Sequence, residues 1–400
     1  MQHRQFTFSL RILFLLISLY FYWGMLPLFN DLLVPLLKVH YKLTYSGALL
    51  VQMSFFASNL LLAIPIARLL NYLGYKLTIV SGLFVILMGA ACFIVGSHLQ
   101  SYGCILFSMF ILGAGVVALQ VSVNPLMEQI GEKSYSYARL SLGHGFTAMG
   151  YALVPFMFSG NIQMSQMMMA YGIVMMVMVV SLQWTRRTDF DSDISINLRP
   201  KRGRLSLAFL CRSRLFILCV SGLFLFVGAE VSIGSLLISF LHLPSIVGLP
   251  IGQGAFYLGL YWGGAMLGRL SYVRILMHKP PGFILSVHAI ANLALLLVAA
   301  LGAGRIAMWS LIAVGAFNSI MFPILFAAAL SCFPQMEEKN AASSCLVMAT
   351  SGGALIPVFQ GWLADHWGLQ NSFLGLLPSY CCVLFVGIMI SLSNHKKATL

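Results

Sequence analysis

Apolar residues run through the chain in long blocks, and short polar punctuation separates them. Bounded by charges, Gly or Pro, the blocks cover residues 10–37, 46–70, 77–97, 104–126, 138–159, 162–183, 214–241, 251–272, 282–302, 306–332, 340–364 and 370–394. A helix needs about 20 mostly apolar residues to cross the hydrocarbon core of a bilayer, so each block predicts one membrane-spanning helix. The longest polar stretch, 184–213, falls between the sixth and seventh. It divides the chain into a six-helix bundle over 1–183, a linker over 184–213 and a second six-helix bundle over 214–400. The expected fold is an all-α membrane protein of twelve transmembrane helices.

Composition leads to the same class. Of the 400 residues, 60% are apolar and 8% are Asp, Glu, Lys or Arg, against about 45–50% and about 25% in soluble domains. So few charges cannot cover a water-facing surface. The formal charge of +13 would suggest nucleic acid in a soluble protein, but here it reports orientation. With both termini cytoplasmic, twenty of the 23 Lys and Arg fall on the cytoplasmic side, and Lys38, Lys42 and Arg305 fall outside. That is the positive-inside bias, and no nucleic-acid partner is needed to explain it. The basic linker, with Arg186, Arg187, Arg199, Lys201, Arg202, Arg204 and Arg212, reads first as a solvated connection under the same bias. Anionic-lipid binding is the other reading. The N-terminal apolar run is too long for a signal-peptide core and is expected to stay as the first span. Eight cysteines lie mostly in apolar runs, without metal-ligand spacing, and read as buried free thiols.

Two acids break the pattern. Asp31 in span one and Glu230 in span seven lie well inside apolar blocks, whereas the other eight acids map to loops or span ends. A charge at the bilayer centre costs about 2.5–3.5 kcal/mol on insertion scales, so its retention points to function. A carboxyl that alternates between dry and wet surroundings can take up and release a proton or accept hydrogen bonds from a polar substrate. The alternative is a permanently protonated acid that fixes helix packing. Asp31 follows Asn30 and precedes Pro35, where backbone distortion would suit a site. Around Glu230, the small residues Gly228, Ser232, Gly234 and Ser235 equally suit a close helix contact. His144 in span five is a further candidate or an ordinary core histidine, and His288 a weaker one. Gln120, Ser122 and Asn124 in span four, with Asn318 and Ser319 in span ten, are placed to line a polar path. Tyr257, Tyr261 and Trp262 in span eight offer aromatic faces suited to a sugar ring, or plain packing. The Met-rich run Met164 to Met178 reads as a lipid-facing or gap-filling surface. No phosphate loop, close pair of catalytic carboxylates or metal-ligand cluster is present in the sequence, so no enzyme, metal or cofactor is expected. The spacing Gly259 to Gly263 reads as helix packing.

The two halves carry weak mutual likeness. Aligning Gly24 with Gly228 sets Leu32-Leu33 over Leu236-Leu237 and Asp31 over Ser235, while spans four and ten both place a Gly before a Pro (Gly115 and Pro125, Gly315 and Pro323). Several stretches then resemble one family. Trp23-Gly24, Asn30-Asp31 and Leu32-Leu33-Val34-Pro35, with Ala48 to Gln52, are similar to the first two spans of the fucose:proton symporter family of the major facilitator superfamily. Ala118 to Pro125 resembles its Asn-Pro span, and Arg139-Leu140-Ser141-Leu142 leading to Gly150 resembles its fifth. Val227 to Ser235, Tyr261 to Arg269, Phe317 to Pro323, Gly352 to Pro357 and Gln360-Gly361 look like its glucose/galactose branch. Fucose-type members carry a glutamate where this chain has Gln120, two asparagines at Pro27 and Leu28, and a glutamine at His144. The superfamily's cytoplasmic loop motif is degenerate, with Asn71 and Tyr72 in place of its Asp and Arg, although Gly74 and Lys76 remain. A similar-looking Gly361-Trp362-Leu363-Ala364-Asp365 falls on the outer side and cannot replace that latch.

The resemblance implies the major facilitator fold, two pseudo-symmetric bundles that rock about a midplane site. It also implies a secondary active transporter importing a hexose such as glucose, galactose or fucose by cation symport, with the proton as the expected ion and sodium as the other candidate. The expected site residues are Asp31, Glu230, Gln120, Asn124, His144, Asn30, Asn318, Trp262 and Tyr257. The expected partners are the sugar, the coupling ion and the lipid of a cytoplasmic membrane, and the functional unit is a monomer. The competing functions are an exporter of drugs or metabolites by proton antiport and a non-transporting sensor.

Overall fold

The computed structural model describes residues 10–130, 136–158, 162–188, 212–276, 279–333 and 336–398. Most of the basic linker and Cys211 lie outside these residues. The described chain is helical almost throughout: α1 Leu10–His40, α2 Tyr45–His98, α3 Tyr102–Gln129, α4 Ser136–Met157, α5 Met164–Arg187, α6 Arg214–Leu241 and α7 Ile251–Leu276. There follow α8 Pro281–Leu301, α9 Gly304–Asn318, α10 Met321–Leu330, α11 Met336–Ala349, α12 Gly352–Trp367, the single turn α13 Leu369–Ser372, a 3₁₀ turn Phe373–Leu376, and α14 Leu377–Ala398. Among the described residues, nine segments are long and apolar enough to cross a membrane.

One of the nine counts twice. At 54 residues, α2 would be about 80 Å long if straight, well beyond a bilayer of about 40–45 Å. It folds at Gly74, whose φ of 76° and ψ of 174° belong to a region that a Cβ would strain. With α4 and α7 also spanning, the helices make twelve passes, and their bounds match the sequence expectation to within a few residues.

Close packing rests on small residues, because a bilayer gives no hydrophobic drive for helix association. A Cβ on Gly150 of α4 would come within 2.6 Å of the Phe21 carbonyl oxygen on α1. One on Gly89 of α2 would meet Leu112 of α3 at 2.8 Å. In the second half, Gly228 of α6 lies against Ile356 and the Gly352 carbonyl of α12, so the close contact expected around Glu230 exists. Contacts between the first six and last six passes pair α1 with α6, α2 with α11 and α12, and α4 with α7.

Several expectations change. Pro35 does not interrupt α1, nor does Pro27, and the helix runs unbroken from Leu10 to His40; neighbouring helices can hold a membrane helix together around the lost bond. The breaks come instead at residues 319–320, between α9 and α10, and at 350–351, between α11 and α12. Of the spacing Gly259 to Gly263, Gly259 packs on the Phe156 ring, but nothing lies within 4 Å of a Cβ built on Gly263. None of the seven described cysteines is in a disulfide, yet Cys104 and Cys381 are exposed and only Cys219 is buried. An outward-facing thiol within a span meets lipid rather than water, so it does not need burial. The Met-rich helix α5 does both expected jobs: Met167 and Met178 are buried while Met169 and Met176 are exposed.

Candidate functional site

On the central axis, where α1, α2, α3 and α4 face α6, α7, α10 and α11, lies a cavity of about 120 Å³. Its lining follows helical periodicity. On α1, Trp23, Pro27 and Asp31 recur every four residues; on α2, Gln52, Phe56 and Asn59 share one face, as do Gln120 and Asn124 on α3. His144, Thr147 and Tyr151 come from α4, Val227, Glu230 and Val231 from α6, and Trp262 and Arg269 from α7. Positions three, four or seven apart share a helix face, so each helix presents one stripe to the axis.

Asp31 is the most constrained polar group. Gln52 Nε2 donates to its Oδ1 at 2.8 Å, and Ser235 Oγ, from the other half, donates to the same oxygen at 2.7 Å. Gln52 Nε2 also reaches Ser235 Oγ at 2.8 Å. The two positions that the internal alignment superimposes therefore meet across the axis. Gly234 makes room for the carboxylate, since a Cβ there would lie 2.8 Å from Asp31 Oδ2 and 3.2 Å from the Trp262 ring. Glu230 is also buried, at 8% exposure, but its Oε1 has no hydrogen-bond partner. It shares the cavity with the half-buried Arg269 and interacts with it electrostatically. Arg269 Nε in turn donates at 3.1 Å to the carbonyl of Ser319, at the break between α9 and α10. Broken backbone at membrane depth is tolerated where it lines a cavity or finds partners in the protein.

Around these groups the cavity keeps unspent hydrogen-bonding capacity. Gln52 Oε1, Asn59 Oδ1 and Glu230 Oε1 are all buried without a partner, whereas the Trp262 indole interacts with the Asp31 carboxylate. A buried polar atom left unpaired costs about 1–3 kcal/mol, so a surplus of acceptors gathered in one cavity suits a ligand rich in hydrogen-bond donors such as hydroxyls. Tyr151 and Trp262 stack obliquely, with centroids 4.9 Å apart, and Trp23 adds a third aromatic wall. Tyr20 holds the base of this wall: its hydroxyl donates to Asn124 Oδ1 at 2.6 Å, and its ring lies edge-on to His144 at 5.4 Å.

Of the nine expected site residues, the cavity brings together Asp31, Glu230, Gln120, Asn124, His144 and Trp262. It does not bring Asn30, Asn318 or Tyr257. Asn30 is fully buried with neither amide atom partnered, while Tyr257 packs on Phe256 and Trp309. Asn318 is tied into the second half: its Oδ1 accepts from Asn292 Nδ2 at 2.8 Å and Tyr380 at 2.9 Å, and its Nδ2 donates to Tyr261 at 3.0 Å. Tyr261 thereby leaves the aromatic wall as well. Ser122 and Ser319 bond back to carbonyls of their own segments. His288 pairs with the Phe317 carbonyl at 2.7 Å. Sequence reasoning missed Gln52, Asn59, Tyr151, Thr350 and Arg269. Arg269 entered as an orientation charge and as the end of a family-like stretch, not as a site residue, although its seven-residue spacing from Trp262 places both on one face of α7.

Twelve helical passes around a buried, polar, axial cavity define a membrane transporter. No family model matches the chain. A glucose/galactose transporter of Brucella abortus biovar 1 (strain 9-941) is 31% identical over 392 residues, covering 94% of this chain and 93% of the relative. The L-fucose-proton symporter of Escherichia coli (strain K12) is 27% identical over 403 residues, covering 93% and 91%. The crystal structure of the E. coli fucose:proton symporter superimposes with a TM-score of 0.72 at 24% identity, over 95% of this chain and 98% of that one. The chain belongs to the family of the glucose/galactose transporters, and it shares its fold with the fucose:proton symporter.

Proposed function

We propose that this chain imports a hexose together with a proton across a cytoplasmic membrane by alternating access. The observation that carries the proposal is the axial cavity, where two buried carboxyls and a surplus of unpaired acceptors stand among aromatic walls. Hydroxyls of a sugar pair with such groups, and its apolar ring face lies on an aromatic side chain. The polar lining of the cavity, with two carboxyls, an arginine and several amides, favours a polar ligand over an apolar drug, which weighs against the exporter reading. The relatives named for glucose and galactose, and for fucose with a proton, support the substrate class and the ion. Pro27 and Leu28 line the cavity where fucose-type members resemble each other in carrying amides, which favours glucose or galactose over fucose.

In this reading the bundles 1–183 and 214–400 rock against each other, the linker 184–213 joins them, and one chain suffices because its two halves complete the site. Both termini face the cytoplasm, so the rim bearing residues 40–45 and 365–369 faces outward. The cavity reaches from Asp31 towards the opposite rim as far as Arg269, about 10 Å beyond Trp262 along α7. Asp31 accepts sugar hydroxyls and takes part in coupling, with Glu230, Gln120 and His144 completing the polar site.

Purified protein in liposomes tests this with a panel of hexoses, run under an inward proton gradient and then an inward sodium gradient. Accumulation of glucose or galactose that needs the proton gradient and collapses with a protonophore is the expected result. Uptake driven by sodium alone would move the coupling to the other ion. Saturable binding without flux would favour the sensor.

A further inference from the structure

The segment Gly361 to Asp365 remains without a role in the site, yet its last residue makes the most elaborate contact between the two halves outside the cavity. Asp365 lies in the last turn of α12 and reaches the first turn of α2. Its Oδ1 accepts from the Tyr45 N–H at 2.6 Å, and its Oδ2 accepts from the Ser46 N–H at 3.0 Å and from Ser46 Oγ at 2.6 Å. Thr44, the N-cap, takes the next donor, the N–H of Gly47, at 3.1 Å. The first three N–H groups of α2, which have no acceptor within the helix, are thus all satisfied, two of them by a residue from the opposite half. The carboxylate also sits at the positive end of the helix dipole. One turn back on α12, Gly361 lets the helices close: a Cβ there would lie 2.8 Å from Ser46 and from Leu49. Deeper still, Asn59 Nδ2 donates to Thr350 Oγ1 at 2.7 Å, and Gly353 lies against the Phe56 ring. The α2–α12 seam is therefore closed from the rim to the cavity, with Asp365 at its outermost point.

We propose that Asp365 is a positioning residue that latches the outer gate, holding the α2 and α12 ends together while the cavity faces the cytoplasm. The inference rests on the alternating-access reading and on the outward orientation of this rim. Rocking the halves to open the outer side must part α2 from α12, which removes all three Asp365 bonds in one step and leaves the N–H groups of Tyr45 and Ser46 to water. Because Asp365 is exposed, water replaces those bonds at modest cost, so the latch biases the two states without locking either. The degenerate loop motif on the other rim, with Asn71 where an acid is usual, makes the contrast: this chain carries its helix-capping carboxylate on the outer seam.

The test uses a cysteine at Leu49, fully buried in the seam and outside the cavity lining, labelled from the outside with a membrane-impermeant maleimide and compared with the parent's own labelling. In the full-length Leu49→Cys protein, adding Asp365→Ala should raise the labelling rate about fivefold or more, the effect expected from losing charge-assisted bonds at an exposed helix end. Asp365→Glu should stay near the starting rate and Ser46→Ala should fall between. In transport, Asp365→Ala should lower the KM for external sugar and lower kcat, because the outward form is more populated. An unchanged labelling rate in Asp365→Ala overturns the latch. If that variant does not fold, Asp365→Asn and Ser46→Ala decide, and starting rates in both overturn it equally. Labelling needs no substrate, so a wild-type protein that transports no sugar defeats the transport reading without touching this measurement.

Discussion

Two polar clusters lie inside the apolar helices, and they differ in how completely they satisfy themselves. The network of Asn318, Asn292, Tyr261 and Tyr380 is internal to the second half and nearly satisfied, with the Tyr261 hydroxyl donating to the Glu230 backbone carbonyl at 3.5 Å and Asn292 Oδ1 left over. The axial cluster is bonded on one side, where Gln52 and Ser235 hold Asp31, and open on the other, where Glu230, Gln52 and Asn59 each keep an unpaired atom. Polar groups are expensive at this depth in both places. A closed network recovers that cost within the fold and so acts as structure. An open one recovers it only with a ligand, and that is the physical mark of a binding site.

The largest effect is expected at Asp31. Asp31→Asn keeps the shape and an oxygen for Gln52 and Ser235, but removes the group that can gain and lose a proton. Gradient-driven accumulation should fall by about two orders of magnitude, consistent with loss of charge-assisted hydrogen bonds, while sugar exchange at equal pH falls far less. Uptake at wild-type levels would end the role assigned to Asp31. Glu230→Gln comes next. Because Glu230 is the cavity acid with an unpartnered oxygen, the substitution should raise the half-saturating sugar concentration about tenfold and change its dependence on external pH. If coupling and binding both stay intact, Glu230 serves packing alone. Gly234→Ala probes the bonded side: the added methyl crowds Asp31 Oδ2, and overpacking of this kind costs about 1–3 kcal/mol. Sugar affinity measured by binding should drop about fivefold, with the pH dependence kept.

The fold was legible because bilayer thickness imposes one length on every span, and charge interrupts the spans at regular places. Gly74 at the turn between passes two and three, and the polar break before Arg214, are visible as composition. The site was legible where it violates that composition: Asp31 and Glu230 stand out because the bilayer should exclude them. Gln52 did not stand out, being a neutral amide in a run that reads as membrane, and its importance appears only when α2 is set beside α1 and α6. Arg269 was hidden by a correct rule. It lies near a rim where positive charge is expected, and only the direction of α7 turns it towards the cavity. Asn318 misled in the opposite way, since an amide in a span looks the same whether it faces an axis or a tyrosine pair.

That ambiguity makes Asn318 the control for the contrast between clusters. Asn318→Ala removes acceptor and donor together and leaves Asn292, Tyr261 and Tyr380 each short of one partner. Hydrogen bonds between membrane helices average about 0.6 kcal/mol and reach about 1.7, so three lost bonds amount to roughly 2 kcal/mol of stability. The purified variant should unfold at a temperature lower by several degrees, while sugar affinity and proton dependence change by less than about twofold, because no atom of Asn318 lines the cavity. A stable variant that has lost sugar affinity would reverse the assignment, placing the closed network in the binding path and making satisfied hydrogen bonds a poor guide to what is structural in this protein.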